Sequence, residues 1–261
     1  TEDDIKECSR AFTGWTIANP DYMAIKMRNN TARPYGYIAW QFRYDEADHD
    51  DGVKRFLGET GRFNGEDVID IICKQPATAR FISRHLYHFF VADEPPVPQW
   101  PYVPPRDPQA IKVMSDAYFQ SGYSIKAMLR AMFLSDFFKS ARLARIKSPA
   151  ELVVGILRLA GDLQSPSIDV YNAARVCSYM GQTLLSPPSV EGWQGGSEWI
   201  NTGNLVQRIN FASKIIGDTT KPGVRAILDW IKAQAGKGPV SPERLVDLCL
   251  DAVGPLEVSE E

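Results

Sequence analysis

Neither sign of charge prevails in this 261-residue chain: 29 Lys and Arg stand against 32 Asp and Glu, for a net charge of -3 and a pI near 5.7. That balance argues against a general nucleic-acid binder, which carries a basic face. No run approaches the roughly 20 consecutive apolar residues that a membrane span needs. Cysteine is scarce and scattered, at Cys8, Cys73, Cys177 and Cys249. None forms a C-x-x-C pair, which removes zinc-ribbon and thioredoxin readings. Each lies among apolar residues in a helical pattern, so buried reduced thiols are expected, with a disulfide pair as the alternative. Also missing are a G-x-S-x-G elbow, a Walker loop and a dinucleotide fingerprint. The glycines from Gly192 to Gly196 neither follow a strand nor lead directly into a phosphate-binding helix, and nucleotide binding is dropped. No signal-peptide pattern is present, but the chain opens at Thr1, inside a helix start made by Thr1 as N-cap and Glu2, Asp3 and Asp4 in the first turn. It closes at Val258-Ser259-Glu260-Glu261, another helix start cut short, so a fragment of a longer protein is expected.

Helix signals dominate what is there. Ile5, Cys8, Ala11 and Phe12 form an apolar stripe, and Asn64-Gly65 opens a helix running to Cys73. Pro76 starts another that continues to Val91, with Ala79, Ile82, Leu86 and Phe89 or Phe90 on its inner face. Ser148-Pro149-Ala150-Glu151 combines a serine N-cap, a first-turn proline and a capping-box glutamate; its helix runs to Ala160 and stops at Gly161. Further helices are expected over 111–119, 125–134, 167–181, 204–216, 224–235 and 242–252, with Ser135 capping a short one. Between residues 94 and 108 seven prolines accompany two aromatics, which predicts a stiff surface loop pinned by Trp100 and Tyr102. Tyr35 to Phe42 reads as a short strand or extended arm. The expected fold class is therefore mostly α: one multi-helix domain over 1–261, at most a minor β element, and two long aromatic- and glycine-rich irregular segments over 13–65 and 181–202. No internal repeat of fixed period is evident.

Several segments together resemble one bacterial family, the domain of unknown function 1800 group. They are Arg10-Ala11-Phe12-Thr13-Gly14-Trp15, the loop from His49 to Gly58, Pro76-Ala77-Thr78-Ala79-Arg80-Phe81-Ile82 and Ser121-Gly122-Tyr123-Ser124. Later come Lys147-Ser148-Pro149, Pro187-Pro188-Ser189-Val190-Glu191-Gly192-Trp193 and Trp199-Ile200-Asn201, so the resemblance spans nearly the whole chain. It implies the C-terminal portion of a longer member whose N-terminal helical half is absent. It also implies an extracytoplasmic bacterial setting, periplasmic or secreted, and a neighbouring sulfatase-like exported protein as partner. It supplies no reaction and no established catalytic residues.

Two irregular segments carry the candidate chemistry. Asp45, Glu46, Asp48, His49, Asp50 and Asp51 crowd one loop. Hard cations take several oxygens on a flexible turn, so Asp48, His49 and Asp50 are the candidate ligands for a divalent metal. The EF-hand template fails, because with Gly52 in sixth place the first ligand would be Ala47 and the twelfth Gly58. As a catalytic set, His49 would act as base with Asp50 or Asp51 orienting it, and Lys54 would hold an anionic substrate, the default for such a lysine being an exposed cation beside acids. The structural alternative is a turn in which Asp side chains bind local amides and Gly52 takes a positive φ. His85 and His88 share one side of a helix, but no H-E-x-x-H arrangement surrounds them. In the second segment, Trp193, Trp199, Glu191 and Asn201, together with Trp15 from the first, are the candidate ligand-binding residues, since indole faces stack on sugar rings while amides and carboxylates meet hydroxyls. Glu191 and Glu198 invite a glycosidase reading that requires a measured separation. The alternative is a loop anchored to the core by its two tryptophans. The leading expectation is a non-catalytic binding or assembly module of an exported system, with glycan or the sulfatase-like protein as partner. The rival is a metal-assisted hydrolase of a carbohydrate or ester, and a purely structural role for both loops is the third.

Overall fold

The computed structural model describes residues 1–18, 40–95, 102–161, 163, 165, 167–193, 195–236 and 238–254. Eleven helices and two small two-stranded sheets make up the regular structure among them. The chain divides into two units, Thr1–Tyr87 with Pro95–Ser140, and His88–Glu94 with Ala141–Glu261.

In the first unit, α1 (Glu2–Ala11) begins with a capping box between Thr1 and Asp4. β1 (Trp15–Ala18) pairs antiparallel with β2 (Gln41–Tyr44), placing Trp15 opposite Tyr44 and Ile17 opposite Phe42. Only the last part of the expected arm over 35–42 falls on described residues, and its Gln41 and Phe42 are indeed strand. A second hairpin, β3 (Lys54–Phe56) with β4 (Glu59–Gly61), turns through Leu57 and Gly58, both at positive φ. α2 (Gly65–Cys73) starts at Asn64, whose side-chain oxygen accepts from the amides of Glu66 and Asp67. Ala11, Phe56, Val68 and Ile71 form the core here, with Cys8, Phe12 and Phe63 packed against them. α4 (Pro108–Gln120) and α5 (Ile125–Leu134) pack together, burying Met114, Tyr118, Met128 and Met132. The Tyr118 hydroxyl donates to the Cys73 carbonyl at 2.9 Å, and burial, then the neighbouring Cys73 side chain, pushes its pKa up to about 12. A short α6 (Asp136–Lys139) follows, capped by Ser135 as expected.

α3 (Pro76–Phe90) and the proline-rich segment after it correct two sequence expectations. Its buried residues are Ala79, Ser83, Arg84 and Tyr87, whereas Phe89 and Phe90 are exposed. The reason is polar. Arg84 donates to the carbonyls of Val103 at 3.0 Å and Pro95 at 3.3 Å, and Ser83 meets Ser115 at 3.2 Å. A proline-rich segment has carbonyls that no local amide can satisfy, and a buried guanidinium meets that need. Tyr102, expected to pin this segment, is 66% exposed, and Trp100 lies outside the described residues.

In the second unit, α7 (Pro149–Ala160) carries the capping box of Ser148 and Glu151 and ends at Gly161 with φ +68°. Arg145 forks onto the Glu151 carboxylate at 2.8 and 3.1 Å. α8 (Ile168–Tyr179), α9 (Thr202–Ile216), α10 (Pro222–Ala235) and α11 (Pro242–Val253) complete it. Val153, Leu157, Cys177 and Met180 form its core, with Phe211 and Ile215 of α9 packed alongside. All four cysteines are free; Cys177 is buried, Cys8 and Cys73 half-buried, and Cys249, against expectation, exposed. Among the described residues no helix is long and apolar enough to cross a membrane.

Candidate functional site

The His49 loop is held by α1 and by the turn after it. A 3-10 turn over Glu46–Asp48 leads into His49, whose Nδ1 lies 2.9 Å from the Thr13 carbonyl. An imidazole nitrogen bound to a carbonyl is a donor, which in the neutral ring makes Nε2 the acceptor. Nε2 is 4.0 Å from the Asp51 carboxylate, and the His49 side chain is only 6% exposed while that of Asp51 stands in solvent. The Thr13 hydroxyl accepts from the Asp50 amide at 2.7 Å.

Asp50 is fully engaged. Arg10 donates from Nε to Oδ2 at 2.8 Å and from Nη2 to Oδ1 at 3.2 Å, and the Gly52 amide donates to Oδ1 at 2.8 Å. Hydrogen bonds from Arg10, then from Gly52, hold this carboxyl down at about 2. The same guanidinium forks onto Glu7, and the two carboxylates push its own pKa further up. Lys54, an expected surface cation, is 1% exposed. Its ammonium donates to the carbonyls of Asp50 and Gly52. Gly52 does not take the expected positive φ. It is small because a Cβ there would lie 2.6 Å from Arg10 Nη2 and 2.8 Å from Asp50 Oδ1. Asp48 ends the 3-10 turn and is exposed. Among the described residues no three His, Cys, Asp or Glu side chains group as metal ligands.

Beside this loop lies a feature that the sequence reading caught only in Trp15. Trp15, Phe42, Tyr44, Asn64 and Glu66 line a depression of about 140 Å³. Alternation along the hairpin puts the three aromatic residues on one face. Trp15 meets Phe42 edge-on at 5.0 Å and Phe12 at 4.9 Å. It packs against Gly65, where a Cβ would come within 2.6 Å of the indole, so this glycine makes room for the tryptophan. Phe42 is 63% exposed, and Tyr44 is open as well. Burial, then the charges of Asp51 and Glu46, raises the Tyr44 phenol above its ordinary pKa. The signal in sequence was the i, i+2 spacing of Phe42 and Tyr44, but the pairing with Trp15 spans 29 residues and is set by the sheet.

In the second unit, Trp199 is 7% exposed and anchors a 3-10 turn over Gly196–Ile200. Asn201 caps α9, its side-chain oxygen accepting from the Asn204 amide at 3.0 Å. Trp193 is half-buried, and its indole N–H is buried with no hydrogen-bond partner among the described residues. Glu191 and Glu198 are exposed. Leu185 and Val190 on the same segment project into solvent. His85 is exposed, stacked edge-on with Phe81 at 4.4 Å, and His88 Nδ1 accepts from the Glu94 amide at 3.1 Å.

The family model for DUF1800, described as a protein of unknown function, matches residues 1–261. The chain belongs to that family. No curated protein and no solved structure matches it.

Proposed function

We propose, with membership of the DUF1800 family as the premise, that this chain is a binding module whose recognition face is the aromatic ribbon of Trp15, Phe42 and Tyr44. The observation that carries the reading is the depression these rings share with Asn64 and Glu66. Its size matches one sugar ring. Apolar C–H faces stack on aromatic faces, while an amide and a carboxylate give hydroxyls directional partners. Asn64 uses its side-chain oxygen to cap α2, which leaves its amide N–H pair to the depression. The ligand class is accordingly a glycan, and the setting the resemblance implies is an exported bacterial system.

A glycan screen with the whole chain tests this, followed by titration of Phe42→Ala and Tyr44→Ala. Both side chains are exposed, so the melting temperature should hold while binding falls. Absence of any glycan binding, or binding that survives both substitutions, would sink the reading. The assembly partner is the neighbouring sulfatase-like protein, with exposed Leu185 and Val190 as contacts. A pull-down that is equally strong with Leu185→Ser and Val190→Ser would remove that contact.

A metal-assisted hydrolase is the second reading, and one observation favours it. Binding Nδ1 to a carbonyl presents Nε2 as base or ligand, as a hydrogen bond to the far ring nitrogen does in metal-binding histidines. Asp51, exposed and near Nε2, would share that role, while Asp50 and Lys54 are committed to Arg10 and to backbone carbonyls. Elemental analysis of wild type and His49→Ala decides it: retained metal in the variant, or none in the wild type, counts against.

A further inference from the structure

α7 packs against both α8 and α9, while α8 and α9 touch each other little. The gap between them is a cleft of about 510 Å³. That volume lies within the range of small-molecule sites, roughly 300–1,000 Å³. Its floor is apolar, built from Leu157, Val176, Phe211 and Ile215. Its rim is polar along one edge of α9, where Gln207, Asn210 and Lys214 follow one another at helical spacing. These three side chains make no hydrogen bond or ion pair among the described residues, and all are exposed. Lys214 supplies the rim ammonium that makes no bond among the described residues; Lys221 lies beside the Asp218 carboxylate, and Asp169 Oδ1 already accepts from Asn172 Nδ2 at 3.4 Å.

We infer that this cleft binds a small amphipathic carboxylate. Its apolar body lies on Leu157, Val176, Phe211 and Ile215. Its carboxylate meets the Lys214 ammonium and the Asn210 amide, which are four residues apart and hence neighbours on the helix surface. Gln207, a further turn along, serves a second polar group of the ligand. The ammonium at the end of an apolar slot selects an anion over a neutral or cationic molecule of the same shape. This site is independent of the aromatic ribbon, since every residue in it belongs to the other unit.

The test is titration of the whole chain with octanoate, 1-octanol and octylamine, followed by calorimetry and amide NMR shifts. Octanoate should bind saturably and shift the amides of α8 and α9, with octanol weaker and octylamine weakest. Lys214→Gln, an exposed substitution, should weaken octanoate by about tenfold while leaving octanol unchanged. Ala173→Trp, which fills the cleft, should abolish both; if that variant does not fold, Ala173→Leu replaces it with partial filling and a proportionate loss. The inference is overturned if octanoate does not bind, if octylamine binds as tightly, or if Lys214→Gln binds octanoate as the wild type does.

Discussion

Arg10 on the first helix grips Asp50 with two prongs, Nε on Oδ2 at 2.8 Å and Nη2 on Oδ1 at 3.2 Å, across 40 residues of chain. The acidic loop that draws attention in the sequence is thereby tied to the first helix. A planar guanidinium matches a carboxylate bidentately, which a lysine in its place would not do.

This pairing makes a pH prediction. Asp50 sits at about 2 against an ordinary 3.8. A carboxyl whose folded pKa is lowered contributes stability above its unfolded value, and that contribution is lost as pH falls through the folded one. The loop should therefore hold above pH 3.8 and loosen as pH falls from there toward about 2. A carboxyl carbon NMR titration of Asp50 reads this directly. In Arg10→Met the inflection should rise toward 3.8, and an unmoved inflection would show that the Gly52 amide sets it instead.

Gly52→Ala should destabilise the protein by about 1–3 kcal/mol through overpacking. The new Cβ would fall 2.6 Å from Arg10 Nη2, so the clamp must open or shift. Gly58→Ala is the contrast: its surroundings are open but its φ is +89°. Strain alone should cost about 1 kcal/mol there. Denaturant midpoints of the two variants separate close contact from backbone strain.

Lys54→Met keeps the buried stem and removes the ammonium. The carbonyls of Asp50 and Gly52 then lose their donor. Leaving these part-buried acceptors unpaired costs up to about 1–3 kcal/mol, more than an exposed lysine would contribute. Equilibrium unfolding checks this, and a change near zero would mean that water replaces the ammonium.

Native thiol labelling should distinguish the cysteines. Cys249 is exposed and should react at once, while Cys177 is buried, and its burial raises the thiol pKa. A raised pKa lowers the thiolate fraction, the reactive form. Mass spectrometry after brief labelling should show Cys249 modified and Cys177 modified only on unfolding.

Helix starts were legible because their causes are local. Thr1, Asn64 and Ser148 each cap the helix expected to start there, Ser148 with the capping box its glutamate announces, and Ser135 caps its short helix. The mostly helical class and the family follow from such segments. The roles inside the loops were less legible. Lys54 read as a surface cation and is a buried donor to two carbonyls. Gly52 read as a φ-enabling glycine and is instead a space-making one. On α3, counting apolar residues favoured Phe89 or Phe90, but carbonyls of the proline-rich segment drew Arg84 inward.

By itself the amino-acid order determined where helices begin, which stretches resist regular structure, and which family the chain joins, because caps, prolines and apolar spacing act over about four residues. The tertiary structure alone decided that Asp50 belongs to Arg10, that Trp15 shares a face with Phe42 and Tyr44, and that α8 and α9 part over α7 to leave a cleft. Each of these joins groups tens of residues apart, and no local rule measures the distance between them until the chain has packed.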